Sequence, residues 1–133
     1  MDKQGIPFLT VTELSQMIQG KEVSPVEVTE AYLERIDSLN FKFNSYLTVC
    51  RKEALDAAQD AENAIAQGNY LGPMHGVPVA GKDQLWTKGI RTTVGSRLMS
   101  ECIPEEDATA VCNLKSAGAV LLGKTNLTEF ALG

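Results

Sequence analysis

Cysteine is scarce in this sequence and odd in number: Cys50, Cys102 and Cys112 show no CxxC spacing, so neither a disulfide framework nor a zinc site is indicated. Buried, reduced thiols are the expectation. Positive charge is also short. Twelve Lys and Arg stand against seventeen Asp and Glu, a formal net charge of −5, which leaves no broad cationic surface to neutralise a nucleic-acid backbone or an anionic membrane. The longest run of apolar residues and glycine, Ala117 to Gly123, falls far short of the ~20 residues that span a bilayer. The opening MDKQGIPFLT has no apolar core of signal-peptide length, and a cytoplasmic protein is expected. Histidine occurs once, at His75, and HExxH, GxSxG, SxxK and double CxxC motifs are missing. A metal site or a Ser-His-acid triad is therefore not announced, and His75 is expected to be a satisfied structural histidine in the Gly-Pro-Met-His-Gly turn.

What is present is an ordinary globular composition, 44% apolar and 22% charged over 133 residues, enough for one domain or part of one. The first third is rich in helix-start chemistry. Thr10 and Glu13 have capping-box spacing, with Leu9 and Leu14 as a hydrophobic staple, so a helix should run from Val11 to near Gly20. Ser24, Pro25 and Glu27, with Val23 and Val28 as staple, repeat the signature. The second helix presents Val28, Tyr32, Ile36 and Leu39 as its core stripe. A connecting stretch, Phe41 to Val49, has strand-like content around Tyr46 and Leu47. A third helical pattern then covers Arg51 to Ala66, with Leu55, Ala58, Ala61, Ala64 and Ile65 on one side and Gly68 as its stop.

From Gly72 to Gly95 five glycines, Pro73 and Pro78 break any helical period and predict short strands and turns, one strand lying at Val77 to Val79. Asp107 reads as the N-cap of a further helix with Val111, Leu114 and Ala117 inside and Gly118 as its stop, followed by a buried strand over Ala119 to Leu122. Asn126 and Glu129 have capping-box-like spacing and predict another helix start. Helices, turns and buried strands in this order give an α/β layer architecture.

Gly76-Val-Pro-Val-Ala-Gly-Lys82 has the spacing of a phosphate-binding loop. Its chemistry is wrong for one. Asp83 replaces the magnesium-binding hydroxyl, Val77 and Val79 alternate as in a strand, and Pro78 lacks an amide to offer a phosphate. What remains is Lys82 at the end of an extended segment. If the strand persists, its period of two sends Lys82 and Asp83 to opposite faces. A lysine buried away from a carboxylate loses the solvation of its charged form and becomes available as a base, whereas a lysine beside an aspartate on a surface is simply an ion pair.

As a set, Gly72-Pro-Met-His-Gly-Val-Pro-Val-Ala-Gly-Lys-Asp83, Thr92-Thr-Val-Gly-Ser96, Asp107-Ala108, Ala117-Gly-Ala-Val-Leu-Leu-Gly-Lys-Thr-Asn126 and Glu129-Phe130 resemble the N-terminal part of the amidase signature family. The run Gly20 to Glu27, with Ala31 to Ile36 and Asn44, is similar to that family's opening helices. The resemblance implies a single α/β domain of which residues 1–70 form a helical lead-in and 71–133 the start of a mixed-sheet, helix-flanked core. It also implies amide hydrolysis by a nucleophilic Ser, a bridging Ser in a cis peptide and a Lys, with the catalytic lysine at Lys82 and no cofactor or metal. The implied partner is a small-molecule amide substrate, and homodimerisation stays open.

Thr87-Lys-Gly-Ile-Arg-Thr-Thr93 and the ending from Asn126 to Gly133 resemble the family's transamidating subunit, which acts on glutamyl-tRNA(Gln) or aspartyl-tRNA(Asn). His75-Gly-Val-Pro78, Val94-Gly-Ser96 and Thr128 depart from that subunit's wording. A general amidase is therefore the first reading and the transamidating subunit, with its amidotransferase partner subunits, the alternative. A catalytically dead interaction module is the non-enzyme reading.

None of Ser15, Ser24, Ser38, Ser45, Ser96, Ser100 and Ser116 lies in the glycine- and serine-rich setting that the family uses for its two catalytic serines. The chain is accordingly expected to be the N-terminal fragment of a longer amidase, holding the base without the nucleophile. The 133-residue chain alone should show no amidase turnover, because Lys82 without a serine forms no acyl-enzyme. Lys82-dependent hydrolysis of a simple aliphatic or aryl amide by the purified chain would refute this.

Overall fold

The computed structural model describes residues 4–132. Both capping boxes form. Glu13 N–H donates to Thr10 Oγ1 at 3.2 Å while Thr10 N–H donates to the Glu13 carboxylate at 2.7 Å, and α1 runs Val11–Gln19. In the second box Glu27 N–H reaches Ser24 Oγ at 3.1 Å and Ser24 N–H the Glu27 carboxylate at 2.9 Å, opening α2, Pro25–Phe43. Each box satisfies two amides that the first helical turn leaves without an internal partner.

α2 is longer than its apolar stripe predicts. It continues through Phe41 and Phe43, both exposed, and stops only where Asn44 takes a left-handed conformation with φ of 48°. Asn40 then ties the chain back, its side chain accepting from Tyr46 N–H and donating to Tyr46 C=O. β1, Tyr46–Val49, and α3, Arg51–Ala66, follow. The buried row of α3 is Ala54, Ala58, Ala61 and Ile65, so Ala54 replaces Leu55 on the innermost line. β2 covers Pro78–Lys82, α4 Thr109–Ser116 and β3 Val120–Thr125.

Two expected caps do not form. α4 begins after Ala108, with no side-chain cap, because the Asp107 carboxylate is taken by Lys88 N–H at 2.7 Å and by Lys115 Nζ. Asn126 opens no α-helix either. Its amide donates to Asn44 C=O and its oxygen accepts from Leu127 N–H, while Glu129 accepts from Ser96 Oγ at 2.7 Å, leaving only a 3-10 turn over Glu129–Ala131.

The sheet has the order β1-β3-β2, with β2 parallel and β1 antiparallel to the central β3. This is the mixed, helix-flanked α/β architecture expected from the sequence. The hydrophobic interior falls into two clusters. Ile6, Leu14, Ile18, Val23, Val28, Ala31, Ile65 and Val77 form one, and Leu33, Ile36, Ala54, Ala58, Val120 and Leu122 the other. Successive turns of α2 contribute to both, so this helix joins the N-terminal turn to the sheet. No helix among the described residues is long and apolar enough to cross a membrane.

β1 and β2 each pair on one side only among the described residues, and Phe41, Phe43, Leu98, Ile103 and Leu132 are exposed. Open strand edges and scattered large apolar side chains favour association between chains. In size-exclusion chromatography the 133-residue chain should elute as self-associated material, with a broad thermal transition. A monodisperse monomer that unfolds sharply would show a self-sufficient unit and revive the interaction-module reading.

Candidate active site

Lys82 is the last residue of β2, and its Cα pairs with Thr125 at the end of β3. The two parallel strands thus finish together, and in open α/β sheets the carboxyl end of parallel strands is where ligands are received. The strand alternates as expected. Gly81 and Asp83 are buried and Lys82 between them is exposed, so Lys82 and Asp83 do face opposite ways. The Lys82 side chain has neither a hydrogen-bond nor an ion-pair partner among the described residues. Its amine is neither buried nor neutralised by its neighbour.

The buried lysine of this region is another residue, Lys124. Its side chain is wholly inaccessible, as is that of Asp83. Lys124 Nζ donates to Leu85 C=O at 2.6 Å and to Thr92 Oγ1 at 2.8 Å, and stands 3.5 Å from Asp83 Oδ1. Burial lowers the Lys124 pKa from its ordinary value, and the Asp83 carboxylate pulls it back up. Asp83 Oδ2 accepts from Thr93 N–H at 2.9 Å and from Thr93 Oγ1. Asp83 Oδ1 has no hydrogen-bond partner and relies on the charge of Lys124. Sequence reasoning included Lys124 and Thr92 only as parts of a resemblance. The available signal was a lysine set directly after an apolar strand, in Leu121-Leu122-Gly123-Lys124, which demands a buried counter-charge if the strand is central.

The backbone around this cluster is constrained as well. Val94, a β-branched residue, has φ of 54°, and Gly95 after it has φ of 68°. A Cβ on Gly95 would come within 2.9 Å of Leu127 C=O, so only glycine fits there. Val94 N–H donates to Asp83 C=O, and Phe130 N–H donates to Val94 C=O. The loop is therefore clamped between β2 and the segment after β3.

His75 behaves as a structural histidine. It is 3% exposed, its Nδ1 accepts from Leu71 N–H at 3.1 Å, and burial lowers its pKa. It fills space against Gly118, where any Cβ would lie 2.4 Å from the imidazole. The Gly76 to Lys82 run is strand rather than phosphate cradle, because Pro78 to Lys82 are in register with Val120 to Thr125. The cysteines depart from expectation: all three are free, but only Cys50 is buried, Cys102 being intermediate and Cys112 exposed. No group of His, Cys, Asp and Glu able to hold a metal ion occurs among the described residues.

The profile of the amidase family matches residues 27–133. The chain belongs to that family. It is 50% identical over 125 residues to the A-subunit of the glutamyl-tRNA(Gln) amidotransferase of Geobacter sp. (strain M21), covering 94% of this chain and 26% of that protein. To the protein of the same name from Moorella thermoacetica it is 46% identical over 126 residues, covering 95% and 26%. The native peptide amidase of Stenotrophomonas maltophilia superposes with a TM-score of 0.88 at 32% identity, covering 94% of this chain and 26% of that one. The chain spans about a quarter of the length of the curated relatives it matches. The family and its α/β fold therefore stand as the sequence reading had them.

Burial raises the Cys50 thiol to about 11, with Glu53 adding to the effect. At pH 8 its reactive thiolate is therefore scarce as well as shielded. Titration with a thiol-reactive disulfide reagent should modify Cys112 first and Cys50 only on unfolding; modification of Cys50 as fast as Cys112 in the native protein would contradict the burial.

Proposed function

We propose that this chain is the lysine-bearing, N-terminal part of an amide-cleaving enzyme, with Lys82 as the general base. The observation that carries this reading is the position of Lys82: exposed, unpaired among the described residues, and at the carboxyl end of a parallel strand pair. An amine so placed can be approached by groups from outside these residues. The family resemblance puts the two serines of the mechanism beyond the position that matches Gly133. Acting as the base, the Lys82 amine takes a proton from the bridging serine, which takes one from the nucleophilic serine. The nucleophile attacks the amide carbonyl, and backbone amides near the serines hold the oxyanion. The proton returns through the same relay to the departing nitrogen, leaving an acyl-enzyme. Water then cleaves the ester by the reverse path and restores the serine. No cofactor takes part.

For the substrate class, the relatives favour the alternative over the first reading. The glutamyl-tRNA(Gln) amidotransferase A-subunits of Geobacter sp. and Moorella thermoacetica are 50% and 46% identical to this chain, whereas the stand-alone peptide amidase is 32% identical. Under this reading the amide nitrogen is passed to glutamyl-tRNA(Gln), and partner subunits carry the RNA, which suits a chain with a net charge of −5. A small-molecule amidase working alone is the other reading, supported by the likeness to the peptide amidase. A cytoplasmic location goes with either.

In the full-length protein Lys82→Ala should lower turnover by a factor of about a thousand or more. Thermal stability should barely change, because the side chain is exposed and unpartnered. Assaying glutamine against simple aliphatic amides, with and without added partner subunits, separates the two substrate classes. Near-normal turnover by Lys82→Ala would mean that the base lies elsewhere.

A further inference from the structure

The backbone that carries Lys82 is held by the ladder with β3 and by bonds of the residues that follow it, while its own amine bonds to none of the described residues. Lys82 C=O accepts from Leu85 N–H at 2.9 Å, closing a turn, and Leu85 C=O in turn accepts from the buried Lys124 ammonium at 2.6 Å. Asp83 N–H donates to Thr125 C=O at 3.0 Å, and Asp83 C=O accepts from Val94 N–H at 3.0 Å. The Asp83 side chain is fixed by Thr93 and by the charge of Lys124, which also reaches Thr92. A Cβ at Gly81, the other neighbour of Lys82, would press on Leu121 Cδ1 at 3.3 Å and meet the Lys124 side chain only at an ordinary contact distance of 3.8 Å.

We propose that Asp83 and Lys124 are positioning residues for Lys82, a buried tether that fixes the turn Lys82–Leu85 and so the place from which the Lys82 amine works. The proposal rests on the reading of Lys82 as general base. Simple structural stapling would need only the ion pair itself, without the further bonds that both side chains make to the backbone and side chains around the Lys82 turn. Here the ammonium is spent on the C=O of Leu85, the residue whose N–H closes the turn back to Lys82, and the carboxylate on the loop that packs behind it. A displacement of the base by about 1 Å is enough to cost on the order of a hundredfold in rate without altering substrate binding. Neither residue touches the reacting atoms.

The test uses the full-length enzyme. Lys124→Met removes the ammonium at similar volume, and Thr92→Val, which deletes one acceptor of the same ammonium, is the milder change that should fold if the first does not. Sites are counted by titration with a fluorophosphonate that labels the active serine, so misfolded protein drops out of the rate. With glutamine and p-nitroacetanilide as substrates, kcat per titrated site should fall roughly tenfold or more for Lys124→Met and about threefold for Thr92→Val, with KM within about twofold of the parent.

Amide hydrogen exchange supplies a readout independent of turnover. Exchange at Leu85 N–H should quicken about tenfold more than at Val28 and Leu33 in α2, which report global opening. Unchanged kcat per site, or Leu85 exchange that merely follows α2, would overturn the tether. The base assignment fails separately: Lys82→Ala at near-normal turnover refutes it, whereas an inactive Lys82→Ala beside a normal Lys124→Met refutes only the positioning role.

Discussion

The ion pair between Asp83 and Lys124 is the constraint around which the second half of this chain is arranged. Both side chains are fully buried, and neither could be alone. Removing water from a single ammonium or carboxylate costs several kcal/mol, and breaking a buried pair by deleting one partner typically costs about 3–5 kcal/mol. Because the pair sits at 3.5 Å without a direct hydrogen bond from Lys124 to Asp83, the remaining bonding capacity must be met by others. Leu85 C=O, Thr92 Oγ1 and the two donors of Thr93 meet it. The irregular stretch from residue 83 to residue 96 owes its path to those requirements more than to any regular backbone pattern.

The N-terminal half obeys a different logic. Its helices are specified by side chains within one turn of the backbone groups they satisfy, and its packing by small residues along α3 against α2 and the sheet. That difference explains what was legible. The bonds of Thr10 with Glu13 and of Ser24 with Glu27 lie at the surface, and their side chains have no rival partners among the described residues, so local spacing alone decides them. Asp107 and Asn126 carry equally suitable side chains, but Lys115 and Lys88 claim the first and Asn44 the second. A local rule fails wherever a more distant group offers the stronger bond.

The same contrast holds at the candidate site. The opposite facing of Lys82 and Asp83 followed from the period of a strand and was readable from three consecutive residues. The identity of the buried lysine was not. Nothing in the neighbourhood of Lys82 reveals that a lysine forty residues later is the one drawn into the interior, because that depends on the parallel register that sets Gly81 beside Lys124. Register between strands so far apart is a property of the whole sheet. The family resemblance pointed to Lys82, while the physics of burial had to be read from the fold.

The order of the strands also governs when the sheet can exist during synthesis. β3 is central, yet it is made after both of its neighbours, and β1 and β2 bond to it and not to each other. While the chain emerges, the helices with their local contacts can form early, but neither outer strand has a partner until Val120–Thr125 is out. The parallel pair additionally requires closure of a long, mostly irregular loop. Lys82 therefore acquires its fixed position only as β3 docks, and until then the nascent chain exposes two strands that a chaperone or a neighbouring chain can bind.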